Sequence, residues 1–201
     1  MSSRLQLHRL CGPLYVYLCI LPRIFFTHVH QQFDRLKPVH TAAYDSARRE
    51  SCFRGTRSQL LSEIQSWVND SNGRSIYVLY GVAGIGKSTI AKTIAERAAN
   101  DKTLGASFFF SRDEENRKTA KSFFTTLAYH LFYHYPAIAE RINVTLERDP
   151  AVVDRDPIQQ FDRLIAKPLR TPIGGENPVL LVIDALDECE EKDAAAILSP
   201  H

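Results

Sequence analysis

Residues 81–88 read GVAGIGKS, and the spacing G-x-x-x-x-G-K-S puts three glycines directly ahead of a lysine and a hydroxyl. Backbone N–H groups can surround a phosphate group only where no Cβ intervenes, and Gly81, Gly84 and Gly86 remove it three times in six residues. Val82, Ala83 and Ile85 lie between them and lend their main-chain groups to the same cradle. Lys87 adds a mobile full charge suited to β- and γ-phosphates, and the Ser88 hydroxyl suits a Mg²⁺ ion. Thr89 follows as a donor to an α-phosphate. If a helix begins at this point, its unsatisfied N–H groups and positive dipole end face the same anion.

A second group of residues completes that chemistry. In VLLVIDALDEC (179–189), Asp184 follows five apolar residues, as a carboxylate at the carboxyl edge of a buried strand would. There it can hold Mg²⁺, directly or through water, opposite Ser88. Asp187 and Glu188 come three and four positions later, and either can orient or deprotonate an attacking water. The pattern does not separate the two, and an acidic helix start would also produce it.

The elements that must position these groups follow from periodicity. SIYVLY (75–80) reads as a short buried strand leading into the glycines. Residues 89–99 read as a helix with Ile90, Ile94 and Ala98 on one stripe. ASFFFS (106–111) is apolar throughout, as parallel strands covered on both faces are. A charged loop, RDEENRK, precedes a helix carrying Phe123, Phe124, Leu127 and Leu131, which Pro136 ends. A further helix carries Ile138, Ile142 and Leu146, and another opens at Pro157 with Ile158, Phe161 and Ile165 inward. Pro168 and TPIGGENP (171–178) mark an exit into the strand 179–184, with a polar helix after it. Upstream, Thr56 with Gln59 three residues on reads as a capping box, ahead of Leu60, Ile64, Trp67 and Val68; Asn72-Gly73 closes that helix.

Strands alternating with helices imply an α/β fold, a mostly parallel sheet flanked by helices, of the P-loop NTPase type. Three strands make a small sheet, so the expectation is an apparently incomplete one. The expected organisation is an irregular extension over 1–41, a lead-in helix region over 42–74, and the nucleotide-binding part over 75–201.

Composition bounds the partners. The 25 Lys+Arg nearly balance 23 Asp+Glu, which offers nucleic acid no electrostatic footprint. Cys11, Cys19, Cys52 and Cys189 form no C-x-x-C pair, and reduced thiols are expected. Basic residues ahead of the apolar run 14–21 have the look of a signal peptide. Pro22 and Arg23 break that run before the roughly 18–20 residues a spanning helix needs, so membrane insertion is not expected. His28 and His30 have no third ligand at metal spacing. The overall expectation is a cytoplasmic protein.

Four stretches together resemble the NACHT NTPases of the STAND class, particularly fungal members. AAYDS (42–46) with CFRGTRSQLLSEIQSWV (52–68) is similar to that family's lead-in. GVAGIGKSTIAKTIAER is similar to its Walker A loop and helix. LGASFFFSRDEENRK with FFTTLAYHL is similar to its second strand and following helix, and VLLVIDALDEC to its Walker B. The likeness covers about residues 42–198 and implies an ATP/ADP switch that oligomerises on exchange and resets by slow hydrolysis. It also implies that Thr56 and Arg57 lie beside the adenine, which for Thr56 competes with the capping reading. Such proteins carry another strand, a helical and winged-helix region and sensor repeats after Walker B, none of which is found up to His201. Protein partners or self-association would run through those regions.

Three classes of function stay open. One is the nucleotide module, which favours ATP because no NKxD-type guanine reader is present. Another is an inactive truncated fragment acting through protein contacts. The third is a small-molecule P-loop kinase, for which Arg112 and Arg117 are the lid arginines on offer.

Overall fold

The computed structural model describes residues 34–46, 50–70, 74–170 and 179–198. The expectations on the apolar run 14–21, His28, His30, Cys11, Cys19, Asn72-Gly73 and TPIGGENP lie outside those residues. The fold is α/β around a small parallel sheet of two strands, β1 (Leu104–Phe109) and β2 (Leu180–Asp184). Their register runs from Leu104 opposite Leu180 to Phe109 opposite Asp184, with an irregularity between Leu104 and Ala106. Gly105 lies in that irregularity because nothing larger fits: a Cβ there would come within 2.3 Å of Val179 Cγ1.

Every residue of β1 is buried, and the two faces belong to two different clusters. On one face, Phe108 and Phe110 meet Phe123 at ring separations of 5.2 and 5.4 Å. Phe123 belongs to α3 (Ala120–His134), which Thr119 caps by accepting from the Ser122 N–H. Ile138, Ile142 and Leu146 of α4 (Pro136–Arg148) are wholly buried beneath it, on the expected stripe. On the other face, Leu104, Phe109, Leu180 and Val182 pack against Leu61 and Ile64 of α1 (Ser58–Asn69) and Ile90, Ile94 and Ala98 of α2 (Lys87–Asn100).

The direction of α2 fixes where the glycine loop lies. The carboxyl end of the helix turns at once into the start of the sheet: Thr103 N–H donates to Ala98 O and Leu180 N–H to Thr103 O, both at 2.8 Å. The helix therefore runs back along the strands, and its amino end, at Lys87, faces the carboxyl ends of β1 and β2.

Several expectations need correction. The stretch 75–80 forms no strand and has no ladder partner among the described residues, where the sheet has two strands, not three. Tyr77 and Leu79 do turn onto the α1–α2 cluster, whereas Ile76, Val78 and Tyr80 are 76%, 70% and 88% exposed. A strand needs a neighbour for its main-chain groups, and no described backbone hydrogen bond joins 76–80 to any element. The capping box at Thr56 is not formed either. Gly55 and Arg57 have φ of +81° and +56°, which closes a tight turn in which Thr56 Oγ1 donates to Phe53 O at 2.7 Å. Arg57 then occupies the cap position of α1 without a side-chain cap bond.

Beyond α4, α5 (Pro157–Gln160) leads into a π-helical stretch, Phe161–Ala166, and α6 (Lys167–Leu169). Pro168 lies in the last turn, and the helical run ends at Leu169, one residue past the exit expected at Pro168. The wider π turn before it alters the i→i−4 contacts that a proline would otherwise break. Ile158 faces outward at 47% exposure, while Leu164 and Ile165 fill the core. The described part of the amino-terminal extension is attached to the body: Leu36 is fully buried, and Val39 N–H donates to Thr126 Oγ1 at 2.9 Å. After β2 come a 3₁₀ turn, Leu186–Glu188, and α7 (Glu191–Leu198).

Candidate functional site

The glycine loop connects the stretch 75–80 to α2, at the edge where β1 and β2 end. Gly84 and Gly86 have φ of +79° and +92°, the left-handed region that favours glycine, whereas Gly81 does not need that freedom. Gly81 through Ile85 are exposed, and Gly86, Lys87, Ser88 and Thr89 are half-buried as the helix begins. Gly86, the N-cap of α2, has no side chain to cap it, so the first N–H groups of this 14-residue helix have neither an intrahelical acceptor nor a side-chain cap from that position.

Two cations lie on this loop. Lys87 Nζ donates to Gly81 O at 2.8 Å and to Val82 O at 3.2 Å, folding back over the glycines. The Arg57 guanidinium donates to Ile85 O and presses on Gly86, where a Cβ would meet Arg57 Nη2 at 2.9 Å. The turn that displaced Thr56 from capping is what brings Arg57 there. Thr56 itself is occupied with Phe53 O.

Asp184 ends β2 and is 8% exposed, with its carbonyl accepting from Phe110 N–H at 3.0 Å. Ala185 then takes φ +56°, a left-handed geometry that costs a non-glycine residue about 1 kcal/mol. That reversal sends the chain into the 3₁₀ turn bearing Asp187 and Glu188. Asp187 is exposed and Glu188 half-buried. The Glu188 carboxylate accepts from the Arg112 N–H at 3.2 Å, and Asp187 O accepts from the Arg112 guanidinium at 2.8 Å. That contact was not legible in the sequence; the one signal was an arginine directly after the apolar stretch 106–111, read as a lid residue. Arg117 is buried at 6% exposure, donating to Phe109 O at 2.8 Å and pairing with Glu114 at 2.8 Å.

Neighbouring chemistry is structural. Cys189 donates to Lys118 O at 3.3 Å, and burial, reinforced by Asp193, pushes its thiol up to about 11, so it stays protonated near neutral pH. Cys52 and Cys189 are free thiols. Among the described residues, no group of three His, Cys, Asp or Glu side chains could hold a metal, and no helix is long and apolar enough to cross a membrane.

No curated protein and no solved structure matches the chain. A family model described as Nephrocystin 3, N-terminal, matches residues 55–199, from the turn beside Arg57 to the end of α7. It is not a NACHT model, so the resemblance to NACHT proteins is a separate matter. With most of its length matched, the chain belongs to the nephrocystin 3 N-terminal family.

Proposed function

We propose that this chain is the ATP/ADP-binding module of a NACHT-type signalling NTPase of the STAND class, a cytoplasmic switch with slow Mg²⁺-dependent hydrolysis. One observation carries the reading. The uncapped end of α2, Lys87 and Arg57 converge on an exposed glycine loop at the same sheet edge as the buried Asp184. Two cations and a set of unpartnered N–H groups suit a polyphosphate, and a Cβ at Gly86 would crowd that space.

In this reading the main chain of Gly81, Val82, Ala83, Gly84, Ile85 and Gly86 surrounds the phosphates, and Lys87 exchanges the carbonyls of Gly81 and Val82 for phosphate oxygens. Ser88 and Asp184 hold Mg²⁺, whose charge offsets that of the phosphates. Thr89 donates to the α-phosphate. Arg57, with Thr56 beside it, closes over the loop on the nucleoside side. Asp187 or Glu188 accepts a proton from water.

The kinase alternative loses support from the arginines, since Arg117 is buried on Phe109 O and Arg112 is engaged with Asp187. A second reading, an inactive module acting by protein contact, rests on the exposed apolar side chains Ile76, Val78 and Tyr80.

The deciding measurement is thermal unfolding with Mg²⁺ and ATP or ADP, run beside Lys87→Ala. Nucleotide at about 100 times its Kd stabilises a specific site by about 2.7 kcal/mol. The expected shift appears in the parent and is lost in the variant. A folded parent that does not shift with either nucleotide favours the protein-contact reading.

A further inference from the structure

Residues 34–46 lie as a strap against β1 and α3. Among the described residues, the strap's own backbone hydrogen bonds close only local turns, so other contacts hold it in place. Leu36 and Ala42 are fully buried in the core. Two main-chain donors of the strap reach two buried hydroxyls of the body: Val39 N–H donates to Thr126 Oγ1 at 2.9 Å, and Tyr44 N–H to Ser107 Oγ at 3.0 Å. A segment attached at a few such points opens at lower free energy than a laddered core.

His130 of α3 supports this attachment from within. Ser107 N–H points at His130 Nδ1, at 3.4 Å, so Ser107 meets the strap through its hydroxyl and the imidazole through its amide. Nδ1 accepts only while it carries no proton. The ring lines a cavity of about 240 Å³ between strap and body. The strap brings His40, Tyr44 and Asp45 to that cavity, α3 brings Tyr133 and His134, and β1 brings no titratable group. Tyr129 of α3 lies behind His40, edge to face at 5.5 Å. Three imidazoles thus share a closed space with one carboxylate. Burial first, and then His134, lowers His130 to about 4 from 6.5; Asp45 opposes the shift and His40 adds to it.

We propose that residues 34–46 form an acid-released strap, closed while His130 is neutral and freed from β1 and α3 when that ring takes a proton from solvent. Protonation turns Nδ1 from an acceptor into a donor facing the Ser107 N–H, and it places a positive charge beside His134 and His40. Departure of the strap opens the cavity and returns the ring to water. The open form then binds the proton near pH 6.5 and the closed form near 4, so opening gains about tenfold per pH unit as pH falls between those values. Above pH 6.5 the opening equilibrium is flat.

The test is amide hydrogen exchange on the full chain from pH 7.5 to 4.5, expressed as protection factors so that the intrinsic pH dependence of exchange cancels. The reference amide is Phe110 N–H, which is bonded to Asp184 O inside the sheet. Val39 and Tyr44 N–H are expected to be less protected than Phe110 N–H at every pH, and to lose about tenfold or more in protection across the range. His130→Asn offers Ser107 N–H an uncharged oxygen acceptor. It is expected to keep the strap closed at pH 7.5 and to remove most of the pH dependence, His134 supplying the rest. Strap amides that share the protection of Phe110 at each pH open only with the whole fold, and that result overturns the proposal. So does strap protection that stays flat with pH. Both of these outcomes are read from the parent alone, whatever the stability of the variant. A folded His130→Asn that keeps the parent slope overturns it too, because another group would then drive the release.

Discussion

Two short stretches that both read as strands have opposite fates. LGASFF in β1 carries two phenylalanines among small residues, and SIYVLY ahead of the glycine loop carries four β-branched or aromatic residues. In the first every side chain is buried, with Phe108 and Phe109 at 0% exposure. In the second, alternate side chains from Ile76 to Tyr80 lie open to solvent. The difference is one of neighbours. β1 has β2 on one edge, with Tyr44 N–H bonded to Ser107 Oγ at 3.0 Å, and it has helices on both faces. Residues 76–80 have α1 and α2 on one face and no ladder among the described residues. A strand pattern states what a segment can bury, and the surrounding chain decides how much it does bury.

Mutations at the two stretches should separate them by size of effect. Phe108→Ala removes a ring packed 4.7 Å from Phe110 and 5.2 Å from Phe123, and is expected to cost about 3–5 kcal/mol, seen as a lower urea midpoint at unchanged slope. Gly105→Ala pushes a methyl group into Val179 and is expected to cost about 1–3 kcal/mol by the same measurement.

Acid acts on the packed region too. Burial first, and then His134, lowers His130 to about 4 from 6.5; Asp45 opposes the shift and His40 adds to it. Ser107 N–H also points at His130 Nδ1, at 3.4 Å, and favours the neutral ring. Between pH 6.5 and about 4 the unfolded chain takes up a proton that the folded chain refuses, so stability falls as pH falls through that window. Above pH 6.5 the contribution is flat. A urea-midpoint series from pH 7.5 to 4.5 should show that slope, and His130→Gln should remove part of it. His134, also lowered by burial, accounts for some of the remainder.

The smallest effect is expected at Val78→Ala, within about 0.5 kcal/mol, because that side chain is 70% exposed. A cost at Val78 as large as that at Phe108 would mean that the stretch is covered in solution. The copy number of the protein, measured by light scattering for the parent and for Val78→Lys, would then tell whether a second chain covers it.

The candidate site was legible where it depends on residue type at fixed spacing. G-x-x-x-x-G-K-S, the aspartate ending an apolar run and the acidic pair after it could all be read directly, since local backbone geometry depends on which residues are glycine. The core stripes of α2, α3 and α4 were legible because burial follows a 3.6-residue period. Long-range partners were not. Nothing in the local pattern tells that Arg57 leans on Gly86, that Arg112 holds Asp187 and Glu188, or that a π turn precedes Pro168. The capping reading of Thr56 failed for a related reason: two left-handed residues around it redirected a hydroxyl of otherwise suitable spacing.

What the sequence by itself determined is where the main helices and the two ladder strands lie, the glycine loop and the carboxylates at and after the end of the last strand, because these rest on side-chain type and period. What only the tertiary structure decided is which edges meet. The amino end of α2 and the carboxyl end of β2 share a side of the molecule because Thr103 ties helix and strand together at the opposite end. Residues 76–80, with the same pattern as a buried strand, stay half-exposed because a hydrogen-bonded ladder needs a second chain segment, and a single stretch of sequence holds only one.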